Sequence, residues 1–273
     1  MSRPLHTVVC LKVVPKSEEV QVDRESMTLD RTKARSEINP PDMNALEMAL
    51  SLKDCYGGRV SLLSMGPPFV AAYLRMGIAM GADDAYLLSD RAFGGADTLA
   101  TSLTLASAVR KIGGSDLVLC GEESSDGATA QVPPGIAAWL NIPQATYALS
   151  IAVEEEGFAF VTREIQGGEE DLAVPLPAVV SVKVGVNEPR FMDIDRLHNA
   201  DQLSPVSVWT AADLDVDPGA IGIGGSPTTV AGLRTATTGG GRRRQVLSGT
   251  PDEKAALIYE EIMRYLGVTT PAT

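Results

Sequence analysis

A chain of 273 residues with 44% apolar content and a mean hydropathy of +0.06 can bury a sizeable core, as one large domain or one domain with an appendage. Its formal net charge of -12 and pI near 4.7 argue against a nucleic-acid binder, which would carry a basic face. Three cysteines without CxxC spacing and two histidines leave few parts for a disulfide framework, a zinc site or a Ser-His-Asp triad. Cys10, Cys55 and Cys120 read as small buried hydrophobes, and His6 and His198 as structural. No apolar run reaches membrane-spanning length and the N-terminus lacks a signal-peptide pattern, so a cytoplasmic protein without a metal site or membrane insertion is expected.

Residues 7–14 (TVVCLKVV) are almost continuously apolar and β-branched, the pattern of a strand covered on both faces of a parallel sheet. Met43, Leu46 and Leu50 then recur at helical spacing over residues 41–55, with Gly57-Gly58 as a stop. A strand is expected over 59–65, broken by Gly66-Pro67-Pro68, then a helix over 70–80, a strand over 85–88, a helix over 97–112 and a strand over 117–120. Strands alternating with helices of this length predict a doubly wound, mainly parallel α/β sheet, Rossmann-like, whose ligands sit beyond the carboxyl ends of the strands.

The second half changes character. Residues 146–153 and 158–165 alternate in polarity around Glu154-Glu155-Glu156-Gly157, the pattern of an antiparallel hairpin, and Gly167-Gly168 marks another turn. Residues 178–184 return to a buried-strand pattern. Beyond Val186 periodicity is lost for about sixty residues, longer than a compact domain usually tolerates, and an arm lying on another chain is expected. Gly-rich runs at 222–226 and 237–241 suit a flexible connector. Arg242-Arg243-Arg244 reads as a solvated loop, with contact to an acidic partner surface left open. Thr250-Pro251-Asp252-Glu253 is a capping box with proline at the first helical position. Ala255, Ile258, Tyr259, Ile262, Met263 and Leu266 follow it as one apolar face, closed by Gly267.

The segment Cys120-Gly121-Glu-Glu-Ser-Ser-Asp126-Gly127-Ala128-Thr129-Ala130-Gln131-Val132 joins a strand to a helix expected near Ala130. Small residues at Gly127 and Ala128 admit a ligand to the backbone, Thr129 offers a hydroxyl, and the helix start points unpaired N–H groups at the loop. A phosphate cradle and an ordinary strand-to-helix turn both account for these residues. Cys10, Asn39 to Asp42 and Met65 lie on strand ends or loops that could face the same crevice, although helix capping alone would explain Asn39 and the prolines after it.

Several segments in one order resemble the beta subunit of electron transfer flavoproteins: VVCLKVVP, INPPDMNALEMAL, MGPP, RMGIAMGADDAYLLSDRAFGGADTLATS, GEESSDGATAQV and TREIQGGEEDLAVPLPAVVSVKVGVNEPR, with GTPDEKAALIYEEI similar to the family's terminal helix. Together they cover most of residues 7–195. The resemblance implies a non-enzymatic electron carrier with no catalytic residues, working as a heterodimer with an alpha subunit that holds most of the redox FAD. It implies an adenine nucleotide in the beta chain, held by Cys10, Asn39, Pro40, Pro41, Asp42, Met65, and by Gly121, Glu122, Glu123, Ser124, Ser125, Asp126, Gly127, Ala128, Thr129, Ala130, Gln131 and Val132. Asn187, Glu188, Pro189 and Arg190 precede what resembles the family's recognition loop for dehydrogenase donors, with Ile194 at the aliphatic anchor, and the acceptor would be a quinone oxidoreductase or a ferredoxin-type protein. The implied division is a nucleotide-binding domain over 1–186, a recognition segment and arm over 187–249, and a helix and tail over 250–273 docking on the alpha subunit.

Two departures bear on these expectations. The lysine-rich run that follows the loop in familiar beta chains is replaced by Asp195-Arg-Leu-His-Asn-Ala-Asp201, so the docking partner would differ. LLSDRAFGGADTLATS and DGATAQV are closer to the electron-bifurcating branch, where a second FAD reduced by NADH replaces AMP, but Ala128 stands where that branch usually has a second aspartate. AMP and a second FAD both stay open. A nucleotide-hydrolysing or adenylating enzyme on a similar sheet is disfavoured, because neither a GxxxxGK[ST] loop nor an SGG-type loop follows the first strand.

Overall fold

A computed structural model describes residues 4–16, 21–22, 29–30, 35–153, 157–229 and 246–265. The chain separates into two compact units, Met1–Leu233 and Arg234–Thr273. The first unit opens with β1 (Leu5–Cys10) and passes through the short strands β2 (Val13–Pro15), β3 (Gln21–Val22), β4 (Leu29–Asp30) and β5 (Ser36–Ile38). There β2 pairs with β5 and β3 with β4, both antiparallel. Next come α1 (Pro40–Tyr56), β6 (Gly58–Met65), α2 (Ala71–Met80), β7 (Asp84–Leu88), α3 (Thr98–Ile112), β8 (Leu117–Gly121) and α4 (Val132–Leu140). The meander β9 (Gln144–Val153), β10 (Phe158–Ile165) and β11 (Gly168–Pro175) follows, then β12 (Ala178–Val182), α5 (Ile194–His198), α6 (Ala200–Leu203) and β13 (Ser207–Trp209).

These strands build one nine-stranded sheet in the order β11-β10-β9-β12-β8-β1-β6-β7-β13. Every pair from β9 to β13 is parallel, and β10 and β11 are added antiparallel at one edge. The inner strands alternate between two cores. Val9, Leu62, Leu119 and Val180 join Leu46, Leu50 and Leu74 from α1 and α2 in one buried cluster. Val8, Leu63, Val118 and Val179 join Leu105, Val109 and Ile136 from α3 and α4 in the other. This is why the strands read as unbroken apolar runs: neither face meets water. Each fully buried leucine contributes about 2 kcal/mol of transfer free energy.

Local signals set the helix ends. Pro40 occupies the first turn of α1, and Gly57 closes it at φ 72, its N–H bonded to the Lys53 carbonyl. Asp97 caps α3 by accepting from the N–H groups of Leu99 and Ala100 at 3.0 and 3.1 Å. The expected strand over 7–14 is interrupted after Cys10, because the Lys12 N–H is taken by the Asp42 carboxylate and the Lys12 carbonyl accepts from the Asn39 N–H. The helix expected near Ala130 begins at Val132. The meander holds a third strand, β11, beyond the Gly167-Gly168 turn.

Residues 187–229, the described part of the segment and arm expected over 187–249, make contacts with their own unit. The Asp193 N–H donates to Ala79 O, Arg75 pairs with Asp201 at 2.6 Å, and β13 extends the sheet beside β7. Leu214 and Ile221 are buried with Phe93. Single side-chain and backbone bonds hold this stretch, so it leaves no repeating apolar pattern in the sequence. The second unit contains α7 (Pro251–Tyr265), whose first turn has the expected reciprocal box: Glu253 accepts from the Thr250 N–H at 2.8 Å, and the Thr250 hydroxyl accepts from the Glu253 N–H at 3.4 Å. The expected turn at 154–156, the run 237–241, the arginines at 242–244, and Leu266 and Gly267 lie outside the described residues.

Candidate functional site

The sheet order reverses at β1, which is followed by β6 on one side while the chain later returns to place β8 on the other. Such a switch point leaves the loops after two neighbouring strands diverging to opposite faces, and a crevice opens between them. Here the crevice is a cavity of about 620 Å³ whose floor is formed by Cys10, Leu63, Met65 and Cys120.

Asp42, in the first turn of α1, organises that crevice from below. Its carboxylate accepts from the Lys12 N–H at 2.7 Å and from the Gly121 N–H at 2.9 Å, joining the ends of β1 and β8. It is almost wholly buried, and burial pushes its carboxyl up to about 7 against the opposing pull of those two N–H groups and the Asn39 side chain. Asn39 does similar work one turn earlier. Its amide donates to Glu123 O at 2.8 Å and its oxygen accepts from the Ser125 N–H at 3.0 Å, so it shapes the 121–132 loop and caps nothing through its side chain. Gly121 is required here: a Cβ would lie 2.5 Å from Asp42 Oδ1 and 2.6 Å from Pro41 Cβ.

The loop itself is strained. A turn at Ser124 takes the N–H groups of Gly127 and Ala128, and Ala128 and Ala130 then adopt φ of 46° and 54°. Non-glycine residues in this left-handed region cost about 1–2 kcal/mol each and persist where the fold over-determines them. Among the described residues, no acceptor takes the N–H groups of Thr129, Ala130, Gln131 or Val132. These donors lie at the N-terminus of α4 and line the cleft, which is the arrangement an anion requires. Lys12 reaches across the mouth to Asp126 Oδ1 at 2.5 Å and Ser124 Oγ at 3.1 Å.

The cleft continues to a second helix start. Phe93, Gly95, Ala96, Asp97, Thr98 and Thr101 line its far end at the beginning of α3. Besides capping α3, Asp97 accepts from the Thr228 N–H and hydroxyl at 3.1 and 2.7 Å. Its own N–H donates to Ser226 Oγ, so the 226–228 segment is latched beside the cleft. Thr98 bonds Gln131 at 2.9 Å, tying the two helix starts together. The Cys10 thiol and then burial push the Cys120 thiol well above its ordinary value, so it sits there as a neutral apolar group.

The expected site residues divide accordingly. Cys10, Asn39, Asp42, Met65, Gly121, Glu123, Ser124, Asp126, Gly127, Thr129, Ala130, Gln131 and Val132 line the cleft. Pro40, Pro41, Glu122, Ser125 and Ala128 do not; they shape it, Pro41 by packing under Gly121 and Glu122 by accepting from the Val184 N–H. Lys12 and the residues before and within α3 were missed. The aspartate before Thr98 at a helix start was a legible cap, but nothing in its spacing told that α3 would begin over the same cavity. Cys55, expected buried, is exposed on α1.

Asn187, Glu188, Pro189 and Arg190 lie away from the cleft, along α1. Asn44 and Asn187 exchange amide bonds at 2.8 and 3.0 Å, and Arg190 forks onto Glu47 with a further contact to Asp54 at 2.8 Å. Burial alone would raise Glu47, but the bonds and charge of Arg190 outweigh it and lower its carboxyl. Just beyond this clamp Phe191 is 99% and Ile194 80% exposed. Among the described residues no cluster of acidic, histidine or cysteine side chains could hold a metal ion, and no helix is long and apolar enough to cross a membrane.

The family model for the electron transfer flavoprotein domain matches residues 26–214. The chain is 42% identical to the electron transfer flavoprotein subunit beta of Clostridium acetobutylicum, over 94% of this chain and 98% of that one. It is 41% identical to the caffeyl-CoA reductase-Etf complex subunit CarD of Acetobacterium woodii, over 92% and 95% of the two chains. With protein FixA of Azotobacter vinelandii it shares 42% identity over 83% of each.

Proposed function

This chain belongs to the electron transfer flavoprotein family and works in electron transfer, and on that premise we propose that it is the beta subunit of a heterodimer whose switch-point cleft holds a second FAD. The observation that carries the choice of ligand is the span of the cleft, which runs from the Asp42 and Gly121 junction past the α4 start to the α3 start. A mononucleotide has one phosphate group to place, whereas a dinucleotide must seat an adenosine, a pyrophosphate and a second ring system.

The residues present fit such a group. The open N–H groups from Thr129 to Val132 supply donors for a pyrophosphate. The flavin supplies the electron-accepting ring when bound; the chain's own residues bind and orient it and exclude water. The alpha subunit holds the other FAD, and the 187–194 segment docks the dehydrogenase donor through Phe191 and Ile194, the most exposed large apolar side chains beside the Arg190 clamp. Electrons then pass to a quinone oxidoreductase or a ferredoxin-type acceptor in the cytoplasm, with NADH as the reductant if the complex bifurcates electrons. The terminal helix α7 covers the alpha subunit.

Denaturing the purified heterodimer and counting the released cofactors tests this reading. Two FAD and no AMP per dimer are expected. One FAD with one AMP would replace the dinucleotide by a mononucleotide in the same cleft, and a single FAD with no second nucleotide would end the assignment of the cleft.

A further inference from the structure

Lys12 is the cleft's one cationic lining residue among the described residues, facing the carboxylates of Asp42, Asp97, Glu123 and Asp126. Three of these acids face other duties or solvent: Asp42 holds the Lys12 and Gly121 N–H groups, Asp97 holds the start of α3 and Thr228, and Glu123 is exposed. The Lys12 ammonium instead sits on Asp126 at 2.5 Å and Ser124 at 3.1 Å, bridging the end of β1 to the loop that carries the open N–H groups. Its side chain keeps 47% of its surface exposed although its head is bonded at both contacts. An anion entering beside Thr129 would approach this ion pair, and a phosphate dianion placed among carboxylates needs a mobile positive charge as well as N–H donors.

We propose that Lys12 is a phosphate-binding residue that exchanges Asp126 for the phosphate group of the nucleotide, so that Asp126 competes with the ligand for one ammonium. The proposal rests on the nucleotide reading of the cleft and adds the residue that counters its charge. Lys12 is suited to substitution because its structural bond to Asp42 runs through the backbone N–H, which every replacement but proline retains.

The test uses the heterodimer stripped of the cleft's nucleotide and titrated with AMP, FAD and adenosine as wild type, Lys12→Gln, Lys12→Arg and Asp126→Asn. Lys12→Gln is expected to weaken AMP and FAD by about tenfold or more while leaving adenosine, which has no phosphate, unchanged. It should also flatten the salt dependence of AMP binding, and Lys12→Arg should recover most of the loss. Asp126→Asn is expected to tighten AMP, because the competitor has lost its charge. Unchanged AMP affinity in Lys12→Gln, or an Asp126→Asn variant that binds AMP no more tightly, would overturn the exchange while wild-type binding leaves the cleft's assignment standing. A wild type that binds none of the three ligands overturns both.

Discussion

Asp42 and Glu47 stand five residues apart on α1, both buried, and their carboxyls move in opposite directions. Asp42 sits under the cleft with backbone N–H groups as its nearest partners, and burial prevails, raising it to about 7. Glu47 sits under the exposed segment with the Arg190 guanidinium in a forked contact, and that pairing prevails over burial. Main-chain dipoles can satisfy a buried carboxylate without neutralising it; a facing cation does both. The cleft is therefore a concavity held by backbone donors, and the 187–194 segment is a protrusion pinned by a charged clamp, with one helix serving both.

Replacing Asp42 by leucine would break the comparison most severely. It leaves the Lys12 and Gly121 N–H groups without their acceptor, at an expected cost of about 3 kcal/mol and a fall of ~6–12 °C in Tm. Thermal unfolding followed by circular dichroism reads this, and a fall under about 2 °C would mean the carboxylate is not what joins β1 to β8. Glu47→Gln should cost about 1–2 kcal/mol, because Arg190 is partly exposed and water replaces some of the lost pairing. Denaturant midpoints would measure it, and faster hydrogen exchange should be confined to residues near 187–199. Equal loosening of the cleft loop would show that the two regions are not separately held.

The pH dependence sharpens the contrast. Because the folded-state value of Asp42 is raised from 3.8 to about 7, its contribution to stability is fully present below about pH 4 and is lost as pH rises toward 7. Glu47 is lowered from 4.5, so its contribution is present above that value and is lost as pH falls through the folded-state one. Stability measured from pH 3 to 8 should therefore lose its neutral-side decline in Asp42→Asn and its acid-side decline in Glu47→Gln. The same change of profile in both variants would contradict the opposed environments. The smallest effect is expected for Phe191→Ala, within about 0.5 kcal/mol of wild type in stability, since the ring touches almost nothing to lose. If the segment docks a dehydrogenase, the same variant should weaken that complex about tenfold in a titration, and wild-type affinity would remove Phe191 from the docking surface.

Much of the fold was legible. The unbroken apolar strands, Asp97 before α3, Gly57 after α1 and the capping box at Thr250 each act through neighbours in sequence, so their patterns survive in one dimension. The cleft was legible in part, because Gly121 to Val132 carry their own turn chemistry. The structure of residues 187–229 was not legible, because Arg190 to Glu47, Arg75 to Asp201 and the pairing of β13 with β7 join positions more than a hundred residues apart. Such contacts have no period to detect.

The sequence by itself determined the alternation of strands and helices, the burial of both sheet faces, and a turn of small residues between β8 and α4, since these follow from side-chain periodicity and local backbone freedom. Only the tertiary structure decided that Asn39 and Asp42 would serve as clamps instead of caps, that α3 would open onto the same cavity as α4, and that Lys12 would stand over it. Those outcomes depend on where the strand order reverses, and a reversal is set by how separate segments pack against one another.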